Sequence, residues 1–255
     1  MEARTVTYTA LSGIPLIEPG DDLCSIIAEA IEAAGLVPQP GDVLVIAQKI
    51  VSKAEDRYVD LTEITPTARA LEIAAKAGKD PRLVEVILAE STEVLRQHKD
   101  ILIVVHRLGF VMANAGVDQS NIAPGDGDRV LLLPKDPDAS CAALKAAFDR
   151  KFGAEVAVVI NDSFGRAWRN GVVGVALGAA GLPALRSLIG APDLFGRAMR
   201  VTEVAIGDEL AAAASLLMGQ ADEGTPVVHV RGLRWSAAPA NAAALIRPKH
   251  MDLFR

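Results

Sequence analysis

The sequence predicts an α/β protein. Segments at 23–34 and 66–78 repeat apolar residues at helical spacing, and between and beyond them lie short apolar runs of buried-strand type, at 42–47, 101–105 and 155–162. The length, 255 residues, suits one large domain or two small, closely packed ones.

Taken in order, LCSIIAEAIEAA is the first helix and stops at Gly35, a residue that accepts the left-handed backbone of a helix end. Pro40 and Gly41 make a turn into a strand from Asp42 to Ala47, followed by the polar stretch QKIVSKAE. Residues 66–78 and 81–97 read as two helices divided by GKDP, with Pro81 suited to a first helical turn. Strands are expected at 101–105, from 110 in FVMANAG, at 129–134 and at 155–162. Between the last two, DPDASCAALKAAFDRKFG predicts a helix with Asp138 or Ser140 as N-cap and Gly153 as its stop.

Glycines break 170–192 too often for a long helix and suggest close backbone packing. A strand at 200–206, a helix over GDELAAAASLLMG and a last strand at 226–232 complete the pattern. The residues after Trp235 turn irregular, so 236–255 is expected to be a partly mobile tail.

The net charge of -6 argues against a nucleic-acid surface, which needs concentrated Lys and Arg. No apolar run approaches the roughly 20 residues that cross a bilayer. MEARTVTYTALSGI lacks the basic and apolar regions of a signal peptide, and Cys24 and Cys141 lack metal-ligand spacing, so a cytoplasmic protein is expected. The P-loop pattern is absent, glycines 171, 174, 178 and 181 do not have dinucleotide-fingerprint spacing, and the four histidines share no zinc-site spacing.

Two polar stretches follow apolar strands directly: NAGVDQSN after GFVMA, and NDSFGRAWR after EVAVVI. Asp118 and Asp162, with the Ser163 hydroxyl, supply the oxygen donors that Mg²⁺ or Mn²⁺ prefers. Arg166 and Arg169, read as lying on the same loop, present forks suited to phosphate. Asp and Asn after strands also cap turns, and either stretch alone fits that role equally. In QKIVSKAE, Lys49 and Lys53 stand four apart with Gln48 and Ser52; such a pair is commonly a solvated face, yet after a buried strand it can reach a phosphate.

Together, AQKIVSKAE, ANAGVDQSN and NDSFGRAWRNGVVGVALGAAG resemble the coenzyme F420-0:L-glutamate ligase family. IPLIEPGDDL, AESTEVLR, DLFGR and LLMGQADEGTPVVHVRGL fit as well, so the likeness spans about residues 11–235. The resemblance implies a family-specific α/β fold with a mixed sheet, two closely packed subdomains and an intertwined homodimer. It implies a GTP-dependent ligase that adds L-glutamate to the lactyl carboxylate of coenzyme F420-0, then further gamma-linked glutamates, releasing GDP and phosphate.

By carry-over, Ile14, Pro15, Leu16, Ile17, Gln48, Lys49, Lys53 and Asn121 would hold the nucleotide. Asp118, Asp162, Ser163 and Gln220 would surround Mg²⁺ or Mn²⁺, with Asp118, Asp162, Lys53 and Arg166 serving the phosphoryl transfer. The small Ala113, Ala115 and Gly116 would let backbone pass close to the bound group. Gln220 stands where some relatives carry glutamate, and Asp222 or Glu223 could replace it as a ligand. Other readings are a ligase for a different carboxylate acceptor, a metal-nucleotide binding protein without turnover, and a phosphohydrolase that leaves QKIVSK unexplained.

Overall fold

Val43 to Ile46 are each no more than 1% exposed, as a continuous apolar run requires when both faces of its strand are covered. The computed structural model describes residues 4–120 and 128–253. The chain begins with β1 (Thr7–Ala10), α1 (Leu23–Ala33), β2 (Val43–Ala47), α2 (Gln48–Ala54) and β3 (Tyr58–Asp60). It continues through α3 (Ala68–Ala77), α4 (Pro81–Ala89), β4 (Ser91–His98), β5 (Ile101–His106), β6 (Val111–Ala113) and β7 (Arg129–Leu131). The last elements are α5 (Pro137–Phe152), β8 (Ala157–Arg166), β9 (Arg169–Ala180), β10 (Arg186–Ser187), β11 (Glu203–Val204), α6 (Ile206–Met218) and β12 (Val227–Arg231).

The main sheet is mixed, in the order β1-β12-β2-β8-β9. β2 and β8 are parallel, with Ala47 beside Asn161, and the other neighbours are antiparallel. One core lies between a sheet face and α1, α2 and α5, with Ile27, Ile31, Leu44, Ile46, Phe148 and Ile160 at its centre. The other face packs on α6 through Val45, Val159, Leu210, Ala211 and Ala214. A separate cluster joins α3 and α4 to the β4-β5-β6 sheet, and the short β3-β7 pair lies beside it.

The register puts four connections at one edge of the main sheet. β1, β2 and β8 all point their carboxyl ends there, and β12, antiparallel to β1 and β2, starts there. Residues that follow β1 and β2, those late in β8, and those that precede β12 must therefore meet. This is the edge at which open α/β sheets place ligands.

Several boundaries differ from the sequence reading. The polar stretch after β2, to which the sequence reading gave no element, is the short helix α2. The helix expected over 81–97 ends at Ala89, and STEVLRQH is strand β4, paired along β5. The cause is tertiary: cross-strand pairing outweighs a helical periodicity that is only local. Asp136, not Asp138 or Ser140, caps α5, accepting from the Ala139 amide at 3.0 Å.

The glycine-rich segment forms the long strand β9, and its glycines do serve close packing. A methyl on Gly174 would collide with the Ala211 carbonyl of α6, and one on Gly178 with the Pro137 carbonyl of α5. In the tail, Asp138 accepts the amides of Ala242 and Ala243 at 2.9 and 3.1 Å, and Ala242 is buried.

Candidate active site

A cleft of about 510 Å³ lies at the sheet edge where the four connections meet. Ile14, Pro15, Leu16, Ile17 and Glu18 enter it after β1, and Gln48, Lys49 and Lys53 from α2. Asn161, Asp162 and Ser163 come from β8, and the loop from Met218 to Pro226 closes the remaining side. Predicted residues from four separated stretches thus line one cleft. A larger cavity, about 980 Å³, is lined by Arg107, Phe110, Lys135, Leu177, Asn241 and Ile246. It holds none of the predicted site residues, and the chemistry points to the smaller cleft.

Asp118 joins this group from outside the main sheet. Its main chain is pinned to β7 by reciprocal hydrogen bonds with Leu131, at 3.0 and 2.8 Å. Its Oδ2 lies 2.7 Å from Lys49 Nζ, and its Oδ1 accepts the Ser120 amide at 2.6 Å. Burial alone would raise the Asp118 carboxyl, but the Lys49 ammonium and the Ser120 amide hold it below the usual range.

Asp162 behaves oppositely. Burial pushes its carboxyl up to about 6, and the nearby Asp118 charge adds to that, while the Ser163 amide at 2.8 Å opposes it. Asp162, which feels the Asp118 charge and has the Ser163 amide as its donor, carries a charge that a hard cation would relieve.

The other donors stand close by. Ser163 Oγ donates to Gln220 Oε1 at 2.6 Å, so the hydroxyl and the amide oxygen are adjacent. The set is all oxygen, as Mg²⁺ and Mn²⁺ prefer. Asp222 and Glu223 line the cleft too, although the Glu223 carboxylate turns back to accept the Ala221 amide at 2.8 Å. Gln48 is buried and accepts from Ser52 Oγ at 2.9 Å, which stiffens α2. Burial lowers the Lys53 amine, while Glu18 opposite supports its charge.

Two expected residues stand apart from this grouping. Arg166 does not line the cleft. β8 continues past Ser163, so the expected loop is a β-hairpin in which Arg166 pairs with Arg169 and donates to the Gly171 carbonyl at 3.4 Å. Asn121 lies outside the described residues.

The small residues near Asp118 also have another physical cause. Ala115 is buried in the α3–α4 core, and a methyl on Gly116 would strike Leu133 and Met112, so packing accounts for their size. Sequence reasoning missed Glu18, Tyr58 and Asn161. Glu18 adjoins IPLI and could have been included, whereas nothing in the sequence marks Tyr58. Asn161 Oδ1 is buried with no hydrogen-bond partner among the described residues.

Fold and cleft define the class: an α/β protein with a strand-end cleft lined by carboxylate, hydroxyl, amide and lysine side chains. The chain belongs to the F420-0:gamma-glutamyl ligase family, whose model matches residues 13–232. It is 45% identical over 252 residues to the coenzyme F420:L-glutamate ligase of Methanothermobacter thermautotrophicus, covering 98% of this chain and 99% of that protein. The protein of the same name from Methanopyrus kandleri is 48% identical over 243 residues, 94% of this chain and 93% of its own. That from Archaeoglobus fulgidus is 41% identical over 245 residues, covering 96% and 94%.

Proposed function

We propose that this cleft joins L-glutamate to the terminal carboxylate of coenzyme F420-0, using GTP, and extends the product with further gamma-linked glutamates. Family membership supports the reaction. The observation that carries the site is the meeting of Ile14–Ile17, Gln48, Lys49, Lys53, Asp162, Ser163 and Gln220 in one cleft, with Asp118 tied to Lys49.

A carboxylate does not accept an amine while its oxygen is a poor leaving group. Transfer of the GTP γ-phosphoryl group to that oxygen releases GDP and leaves an acyl phosphate. The glutamate amine then attacks the carbonyl carbon, inorganic phosphate departs, and the amine loses a proton to solvent. Mg²⁺ or Mn²⁺ held by Asp118, Asp162, Ser163 and Gln220 would offset charge on the transferring phosphate.

The protein's own residues supply position. Ile14, Pro15, Leu16 and Ile17 would line the nucleotide on the β1 side, Gln48 and Lys49 from α2, with Lys53 as the further positive charge. Asn121 is kept as a proposed nucleotide contact. Arg166 stands on a hairpin outside the cleft of its own chain, so a part in the transfer would need that hairpin to meet a cleft elsewhere in an assembly.

A homodimer is part of the same proposal. Trp168, Leu194, Phe195 and Val201 are between 80% and 99% exposed, more apolar area than an isolated surface loop needs to show. We further assign residues 11–235 to one ligase domain of two closely packed subdomains, with 236–255 as its tail. A cytoplasmic location agrees with the free Cys24 and Cys141, and no helix among the described residues is long and apolar enough to cross a membrane.

The test is to incubate the pure protein with GTP, Mn²⁺ or Mg²⁺, L-glutamate and F420-0. Product mass should rise by successive glutamyl units with matching GDP release. Phosphate release that ignores glutamate and F420-0 would sink the reading in favour of a hydrolase.

A further inference from the structure

Lys49 occupies the place that a divalent ion would contest. Its Nζ lies 2.7 Å from Asp118 Oδ2 and donates to Ser120 Oγ at 2.7 Å. The Asp118 backbone is fixed by reciprocal bonds to Leu131 and its Oδ1 accepts the Ser120 amide at 2.6 Å, so the carboxylate is held in place. The lysine can withdraw, because its charge sits on a flexible four-carbon stem. The side chains of Lys49 and Asp118 are 30% and 27% exposed, so the ammonium has a path out through solvent.

A cation bound between Asp118 and Asp162 would compete with the ammonium for one carboxylate, and two like charges would stand within a few ångströms. Lys49 also lines the cleft beside Lys53, where a polyphosphate would offer it a new partner.

We infer that Lys49 is an exchangeable cation: it holds Asp118 until a divalent ion takes that carboxylate, then passes to the nucleotide phosphates. The ion alone therefore binds weakly, because it must break the Lys49–Asp118 pair with no replacement for the lysine. Ion and nucleotide bind cooperatively, and linkage makes the effect reciprocal. This rests on the proposed metal-nucleotide reading of the cleft.

The experiment titrates Mn²⁺ into the full chain, following free Mn²⁺ by electron paramagnetic resonance, for wild type, Lys49→Met, Lys49→Arg and Lys53→Met. Lys49→Met is expected to bind Mn²⁺ alone about fivefold to tenfold more tightly than wild type, the lower range of coupling between two sites. Lys49→Arg keeps the charge and should stay within about twofold of wild type, as should Lys53→Met, whose charge is set against Glu18. Added GDP, with the free Mn²⁺–GDP complex counted separately, should tighten Mn²⁺ by a larger factor on wild type than on Lys49→Met, which keeps only the direct attraction between ion and phosphate.

Equal or weaker Mn²⁺ binding by Lys49→Met overturns the exchange while leaving the metal site standing. Tightening by Lys49→Arg or Lys53→Met to the same degree also overturns it. If neither wild type nor Lys49→Met binds Mn²⁺, both the exchange and the proposed metal site fail.

Discussion

Asp162 shows at the residue scale how the site trades stability for chemistry. Its folded carboxyl titrates near 6, against an ordinary value of 3.8, because burial and Asp118 disfavour the charge. The native state therefore favours the proton. The cost of ionising Asp162 is absent below about pH 4, grows as pH rises through the window from 3.8 to about 6, and is complete above it. Asp162→Asn should accordingly stabilise the metal-free protein at pH 7.5 by about 1–3 kcal/mol, the free energy of holding a half-buried carboxylate charged above its ordinary range. Thermal melts in a chelator should show that gain shrinking toward zero as pH falls to about 4; an unchanged or lower melting temperature at pH 7.5 would contradict it.

The residue types at this site were legible in the sequence, since acids, hydroxyl and lysines after strands carry recognisable chemistry. Arg166 was misplaced because hairpin pairing between β8 and β9 depends on a partner strand that no local pattern reveals. Asn161 opens the stretch NDSFGRAWR but was given no role for a similar reason, its Nδ2 being taken up by Ser215 and Met218 of α6.

At the scale of elements, capping chemistry explains half of the α-helix limits. Asp22, Thr67, Asp80 and Asp136 cap their helices, and Gly78 and Gly153 end theirs in left-handed backbone. These signals are local, and the Gly153 stop was legible in the sequence, although the cap of α5 fell on Asp136 rather than on Asp138 or Ser140. Ser91–His98 was not legible, because its helical rhythm yields to pairing with β5. Asp138 is a second case: rather than capping α5 it accepts amides from Ala179 of β9 and from Ala242 and Ala243 of the tail.

Losing Asp138 would leave the partly buried Ala179 and Ala242 amides without that acceptor, so Asp138→Ala should cost about 1–3 kcal/mol. Limited proteolysis should then cut first within the tail near 236–246. Wild-type resistance of the tail in that variant would show that packing of Ala242, rather than the carboxylate, holds it.

At the scale of the molecule, strand order does what no single motif can. Stretches beginning at residues 14, 48, 161 and 218 become neighbours only because β1, β2 and β8 run in the same sense and β12 returns between β1 and β2. The α/β class was legible from periodicity, but this order was not, since apolar runs do not name their partners. The same scale carries the dimer proposal. Leu194 and Phe195 are 99% and 89% exposed, and charge placed there by Leu194→Asp with Phe195→Glu should shift the protein from dimer to monomer in sedimentation velocity. A wild-type monomer, or a variant that remains dimeric, would place the interface elsewhere or remove it.

The central claim is that Asp118 and Asp162 form the reaction centre of a glutamate ligase, and it is tested most directly by glutamate-dependent GDP release. Measured with F420-0 and Mn²⁺ on wild type, Asp118→Asn and Asp162→Asn, release should fall by about a thousandfold in each variant, in the range seen when a key electrostatic group is removed, while circular dichroism and cooperative melting are retained. Near-wild-type release from either folded variant would contradict the account.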